Sequence, residues 1–143
     1  MAISVFVDTN IYLDVMLHRG KEHAEAEALL LLAEDGNINM YTSSSALLNL
    51  LFILRSFKIS KQEATEHLHG ILSYTTLTNP TNSVFEMALT SGFTDIEDAL
   101  QYYTALQVKG MDYFITANLK DFKKASKILP VLSAKQFLQQ YKS

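Results

Sequence analysis

Ile3-Ser4-Val5-Phe6-Val7-Asp8-Thr9-Asn10 decides the reading of this chain. Five residues rich in β-branched and aromatic side chains predict a strand, and Asp-Thr-Asn directly after them is a turn and helix-start signal. Three other short polar clusters stand in comparable places, where apolar segments give way to turns or helices: Ser45 to Asn49, Asp95-Ile96-Glu97-Asp98, and Thr116-Ala117-Asn118-Leu119-Lys120-Asp121. Carboxylates drawn from distant parts of a chain into one cleft repel each other, and a divalent cation relieves that repulsion. The pattern points to a small metal-dependent enzyme, and hydrolysis of a phosphodiester is the reaction such a site serves most readily.

Outward from the first strand, helix formers with leucine-alanine periodicity run from Lys21 to Asp35, and Gly36-Asn37 supplies a stop. A second strand is expected over Ile38 to Thr42, with Ser43-Ser44-Ser45 capping an apolar helix from Ala46 to Phe57. Ser60 and Glu63 form a capping box for a helix to about Leu72, and a third strand follows over Tyr74 to Thr78. Past the break at Asn79-Pro80-Thr81-Asn82, Val84, Met87, Ala88 and Ser91 mark one side of a short helix that Gly92 ends. Thr94 and Glu97 read as a second capping box, opening a helix from Asp95 to Lys109 that Gly110 closes. Asp112 to Thr116 and Pro130 to Leu132 are the remaining strands, and Ser133 caps a last helix through Gln140. Strands alternating with helices predict an α/β fold with a parallel sheet covered on both faces. Ligands of such sheets bind at the carboxyl ends of the strands where strand order reverses, and Asp8 and Asn118 both lie just past strand ends.

With 143 residues and 48% hydrophobic content, one domain spanning 1–143 is expected. Twelve basic against fifteen acidic side chains give a net charge of -3, so any attraction to nucleic acid must come from local basic patches. Arg55, Lys58 and Lys61 form one candidate patch, and Lys120, Lys123, Lys124 and Lys127 another. The absence of cysteine excludes disulfides, thiolate catalysis and cysteine-type zinc sites. The opening residues lack a basic leader, and no apolar run approaches the roughly 20 residues of a bilayer span, so a cytoplasmic protein without membrane contact is expected.

The order of the motifs, V-D-T-N-I after a strand, D-x-E-D-A-L opening a helix and I-T-x-N-x-x-D-F near the end, resembles the PIN-domain family of nucleases over nearly the whole chain. The resemblance implies a five-stranded parallel sheet of order 3-2-1-4-5, a Mg²⁺ or Mn²⁺ site, and cleavage of single-stranded RNA, often as the toxin of a VapC-like toxin-antitoxin pair. It carries the first metal-binding aspartate onto Asp8 and the third acidic position onto Asp98. The fourth position falls on Asn118, with Asp121 as support or substitute, and Asp95 lies in the same first turn as Asp98. The second position is usually a glutamate in the helix after strand two. Here Asn49 is the nearest match, a departure that opens an alternative: a catalytically silent RNA- or protein-binding module.

Each residue also has a structural explanation. Asp8 can cap the helix beginning near Ile11, and Asp98 can be a first-turn carboxylate favoured by the helix dipole. An amide at Asn49 in so apolar a helix must find hydrogen bonds or face the cleft. Asp121 can cap a lysine-rich turn, and the hydroxyls of Thr9 and Thr116 can stabilise turns or bond phosphate or water. His18, Arg19 and Lys21 can reach a phosphate from a loop or simply be solvated. Leu50, Phe52, Ile53 and Phe57 are either core or a surface for a homodimer or an antitoxin.

Overall fold

The computed structural model describes residues 2–123, 125 and 128–142. Its elements in chain order are β1 (Ser4–Val7), α1 (Thr9–Met16), α2 (His23–Glu34), β2 (Asn39–Thr42), α3 (Ser44–Ser56), α4 (Lys61–Tyr74), β3 (Thr75–Leu77), α5 (Asn82–Leu89), α6 (Ile96–Leu106), β4 (Tyr113–Ile115), β5 (Val131–Leu132) and α7 (Ala134–Lys142), with a 3₁₀ turn at Leu119–Phe122. The five strands form one sheet of order β3-β2-β1-β4-β5, and every pairing is parallel. This is the topology that the motif order implies.

The central strand shows why both faces must be covered. Val5 and Val7 enter one apolar cluster and Phe6 enters the other, the period-two alternation of a strand with no solvent side. On the first face pack Ile11 and Leu13 of α1, Leu29 of α2, Leu50 and Leu54 of α3, Ile71 of α4 and Phe137 of α7. The second face is aromatic. Phe6 pairs in register with Phe114 of β4, their rings stacked at 5.5 Å, and Tyr102 of α6, Phe93 and Phe122 close around them. Tyr102 keeps its polar end satisfied by donating to the Leu129 carbonyl at 2.8 Å.

The capping signals hold in most places. Ser43 accepts from the Ala46 amide, Ser60 from Glu63, and Thr81 from Val84. Ser133 and Gln136 exchange two hydrogen bonds, a full capping box on α7. The short helix α5 differs from its expected face: Val84 and Ala88 are buried, but Met87 is 48% exposed. Helix α6 corrects a second expectation. Its N-cap is Asp95, whose Oδ1 accepts from the Glu97 and Asp98 amides at 2.8 and 3.3 Å, so Thr94 and Glu97 form no capping box. An aspartate caps as well as a threonine, and it stands one residue nearer the turn.

Of the four apolar residues read as core or docking surface, Leu50 is fully buried and Ile53 packs partly against the core, while Phe52 and Phe57 are 62% and 53% exposed. Only the last two leave an apolar surface on this helix end. Among the described residues no helix is long and apolar enough to cross a membrane.

Candidate metal centre

Asp8 follows β1 without a break. Its amide extends the ladder by donating to the Ile115 carbonyl at 2.9 Å, which fixes the residue at the carboxyl edge between β1 and β4. The side chain is 2% exposed. Although Asp8 occupies the N-cap place of α1, its carboxylate makes no capping hydrogen bond. It is turned instead to two other groups: Oδ2 accepts from the Thr116 hydroxyl at 2.7 Å, and Oδ1 accepts from Gln101 Nε2 at 3.2 Å. Burial pushes the Asp8 carboxyl above its ordinary range, and Thr116, Gln101 and then the backbone amides of Thr9 and Asn10 oppose the shift.

The Gln101 contact reports where α6 lies. This helix feeds β4, which starts at the amino edge of the sheet, so α6 must run back along the sheet with its N-terminus at the carboxyl edge. Asp98 and Gln101 are three residues apart and share a face. A bond from Gln101 to Asp8 therefore brings the first turn of α6 to the end of β1, and Asp98 is left facing the same cleft. Asp98 is pushed up to about 7, by burial first and then by the charges of Asp8, Asp95, Asp121 and Glu97. The four polar clusters of the sequence thus meet at one end of the sheet.

Asn49 reaches the cleft from α3. Its Nδ2 donates to Glu97 Oε1 across the gap between α3 and α6. Glu97, read from the sequence as a capping residue, has no such duty, and its carboxyl is raised by burial and then by the charges of Asp95 and Asp8. The signal for this role was Asp95: once an aspartate takes the N-cap, a glutamate two residues later is free. Gln101 was also missed; a polar residue one turn beyond Asp98, on a face otherwise made of Tyr102, Ala99 and Ala105, was its mark.

Asn118 caps the 3₁₀ turn through its backbone, accepting from the Asp121 amide at 3.0 Å, and its own amide donates to Thr116 Oγ1 at 3.1 Å. Thr116 is thus a turn hydroxyl, accepting from the amide two residues on, and it is buried, not open to phosphate, and donates its own proton to Asp8. Thr9 Oγ1 makes a long 3.5 Å contact to the Ala46 carbonyl. Asp121 lies with Asp95, Asp98, Lys120 and Lys123 around one depression. Lys124 and Lys127 lie outside the described residues. A second depression beside Asn118 is bordered by Asn10, Asp14, Arg19 and Lys21. Arg19 is taken by Asp14 at 3.2 Å, and Lys21 forms no ion pair among the described residues. Arg55 donates to the Ile59 carbonyl and closes the end of α3.

Among the described residues, no lysine, arginine or histidine forms an ion pair with Asp8, Asp95, Glu97, Asp98 or Asp121. Five carboxylates converge with no ion pair among the described residues, although Lys120 and Lys123 border the same depression, and the donors are hard oxygens of the kind Mg²⁺ and Mn²⁺ select. Gln101 Oε1 is buried beside them with no partner. In chemistry this donor set fits a divalent cation, with Asp8 and Asp98 as the carboxylates best placed to hold it. It is also sparse: among the described residues no group of three or more His, Cys, Asp or Glu side chains stands close enough to bind an ion directly. If an ion is held there, the rest of its ligands would come from amide oxygens and water, which Mg²⁺ tolerates well.

A family model described as a PIN domain matches residues 4–120. Among solved structures, the chain is similar in fold to VapBC2 from Rickettsia felis, crystallised bound to a DNA fragment from its promoter, with a TM-score of 0.65 and 19% sequence identity over 92% of this chain and 98% of that one. No curated protein matches the sequence.

Proposed function

The chain belongs to the PIN domain family, and from that premise we propose that it is a metal-dependent endoribonuclease that cleaves phosphodiester bonds of single-stranded RNA as the toxin of a toxin-antitoxin pair. The observation that carries the reading is the convergence of Asp8 and Asp98, from residues ninety apart in sequence, in a cleft of unpaired carboxylates at the strand ends.

A Mg²⁺ or Mn²⁺ ion held there supplies positive charge to the scissile phosphate and lowers the pKa of a water. The protein does the rest. Thr116 and Gln101 each hold one oxygen of the Asp8 carboxylate, so its free lone pairs keep a single direction. Asp95 pins the first turn of α6 and with it the Asp98 backbone. Asn118 and Asp121, at the mouth beyond β4, complete or orient the oxygen set. Lys120 and Lys123 flank Asp98 and draw the phosphate backbone toward it, offsetting the protein's net negative charge locally.

The toxin assignment is supported by the fold shared with VapBC2. An antitoxin or a second copy of the chain finds an apolar surface in Phe52 and Phe57. A small gene for a DNA-binding protein beside this one would support that assignment.

One observation favours a second reading, a silent binding module: the described residues assemble no direct ligand triad. Purified protein with Mn²⁺ and single-stranded RNA separates the two. The nuclease cleaves, and Asp8→Asn abolishes cleavage. Equal cleavage by both proteins would identify a contaminant. No cleavage and no heat on titration with Mn²⁺ would leave the binding module.

A further inference from the structure

Glu97, like Asp8, is a carboxylate of the cleft that a side chain from another layer holds in place. Asn49, on α3, directs its amide to Glu97 Oε1, and α3 and α6 cover opposite faces of the sheet. The two helices meet only by reaching over the carboxyl edge, so the contact spans the mouth of the cleft. A surface glutamate gains only modestly from such a bond, because water offers its carboxylate an alternative partner. Here the bond also works against local electrostatics. It keeps a carboxylate close to Asp95, Asp98 and Asp8, when an unrestrained glutamate would swing its charge into solvent. No described cation pairs with Glu97. A negative group aimed at other negative groups and left, among the described residues, without a counter-ion is an arrangement that a bound positive charge stabilises.

We propose that Glu97, aimed by Asn49, is a further carboxylate of the cation site, and that Asn49 is the positioning residue that holds it there. The inference rests on the cation site described above. It deepens that reading by assigning the Asn49 amide to the orientation of Glu97 and not to the ion. Since among the described residues no three acidic side chains stand within direct binding reach of one ion, Glu97 acts at longer range, as a fixed charge and hydrogen-bond acceptor at the edge of the shell. Carboxylates in that place raise metal affinity without ligating it, and their loss costs about 10–100-fold.

The test is calorimetric titration of the whole protein with Mn²⁺ alone, for the parent, Asp98→Asn, Glu97→Gln, Asn49→Ala and the Glu97→Gln/Asn49→Ala double variant, with metal-free melting measured alongside. Glu97→Gln is expected to weaken Mn²⁺ binding about tenfold. Asn49→Ala should weaken it less, and the double variant no more than Glu97→Gln, because the amide acts only through the carboxylate. Metal-free melting of Glu97→Gln should hold or rise, because the glutamine oxygen still accepts from Asn49 while one charge among neighbouring carboxylates is removed; a merely structural contact would leave Mn²⁺ affinity at the parent value. Parent affinity in Glu97→Gln, or fully additive losses in the double variant, would overturn the inference while leaving the site intact if Asp98→Asn still loses binding. A parent protein that takes up no Mn²⁺ would overturn both.

Discussion

Thr116 Oγ1 donates to Asp8 Oδ2 at 2.7 Å, joining the ends of β4 and β1 across 108 residues of sequence, and the Asn118 amide donates in turn to the same hydroxyl at 3.1 Å. The Asn118 amide can only donate and the Asp8 carboxylate can only accept, so the direction of the relay through the hydroxyl is fixed. A buried Asp8 is thus held to the strand that carries Asn118.

Thr116→Val tests this relay. Valine has nearly the same shape, so packing is kept, while one acceptor of Asp8 and the Asn118 amide lose their partner. Unmet buried polar groups cost about 1–3 kcal/mol, and misdirecting a metal-binding carboxylate costs about 10–100-fold in affinity. Urea unfolding and Mn²⁺ titration should show both losses together. A valine variant with parent affinity would mean that Asp8 needs no such support.

The Asp98 carboxyl, pushed up to about 7 from an ordinary 3.8, makes the metal-free protein sensitive to pH. The folded state binds this proton more tightly than the unfolded chain, so Asp98's contribution is complete below its unfolded value and is lost as pH rises through the folded one. Stability without metal should fall between about pH 4 and pH 7, by on the order of 1 kcal/mol after solvent screening of a half-exposed group. Asp8 and Glu97 are raised too and add to the same slope. Mn²⁺ competes with the proton, so its stabilising effect should grow over the same window. Asp98→Asn should flatten the metal-free slope in denaturation curves collected across that range; an unchanged slope would exclude Asp98 as its source.

The sheet was legible in the sequence because each strand announces itself by composition and each boundary by a turn residue. Val5, Phe6 and Val7 read as a strand buried on both faces, and Gly36 stops α2 with a positive φ of 79°; α6, expected to run to Lys109, ends at Leu106, and Gly110, with φ 83°, sits in the turn three residues past its C-cap. The cleft was legible as four clusters, and Asp8 and Asp98 do meet there. What the sequence did not show were the bonds between clusters. Gln101 to Asp8, Thr116 to Asp8 and Asn49 to Glu97 join residues 93, 108 and 48 positions apart, and no local pattern encodes such pairs. The capping of α6 was misjudged for a local reason: Thr94 and Asp95 are both good N-caps, and only the backbone decides between them.

Helix α3 should show two unequal faces on truncation. Leu50 is fully buried between α3 and the sheet, so Leu50→Ala is expected to cost about 2–5 kcal/mol. Phe52, two residues on and 62% exposed, should lose less than about 0.5 kcal/mol on change to alanine. If Phe52 covers a second copy or an antitoxin, Phe52→Asp will alter the sedimentation behaviour of the complex without altering the melting of the isolated chain. A large loss of monomer stability from Phe52→Ala would place that ring in the core and remove the surface.

Asp8→Asn separates the chemical role of the carboxylate from its structural one. Asparagine keeps the carbonyl oxygen that Thr116 needs, but turns the other oxygen into an amide that faces the Gln101 amide, donor against donor. Gln101 can answer by rotating its side-chain amide, because Oε1 is buried with no partner to lose. The substitution also removes a charge that burial disfavours. The variant should therefore fold and, without metal, melt at the parent temperature or above it, while Mn²⁺ no longer stabilises it and RNA cleavage falls below detection. Circular dichroism melts with and without Mn²⁺, run beside the cleavage assay, check all three outcomes. A variant that melts lower without metal would show that the carboxylate is needed for the fold, and its lost activity would then say nothing about chemistry.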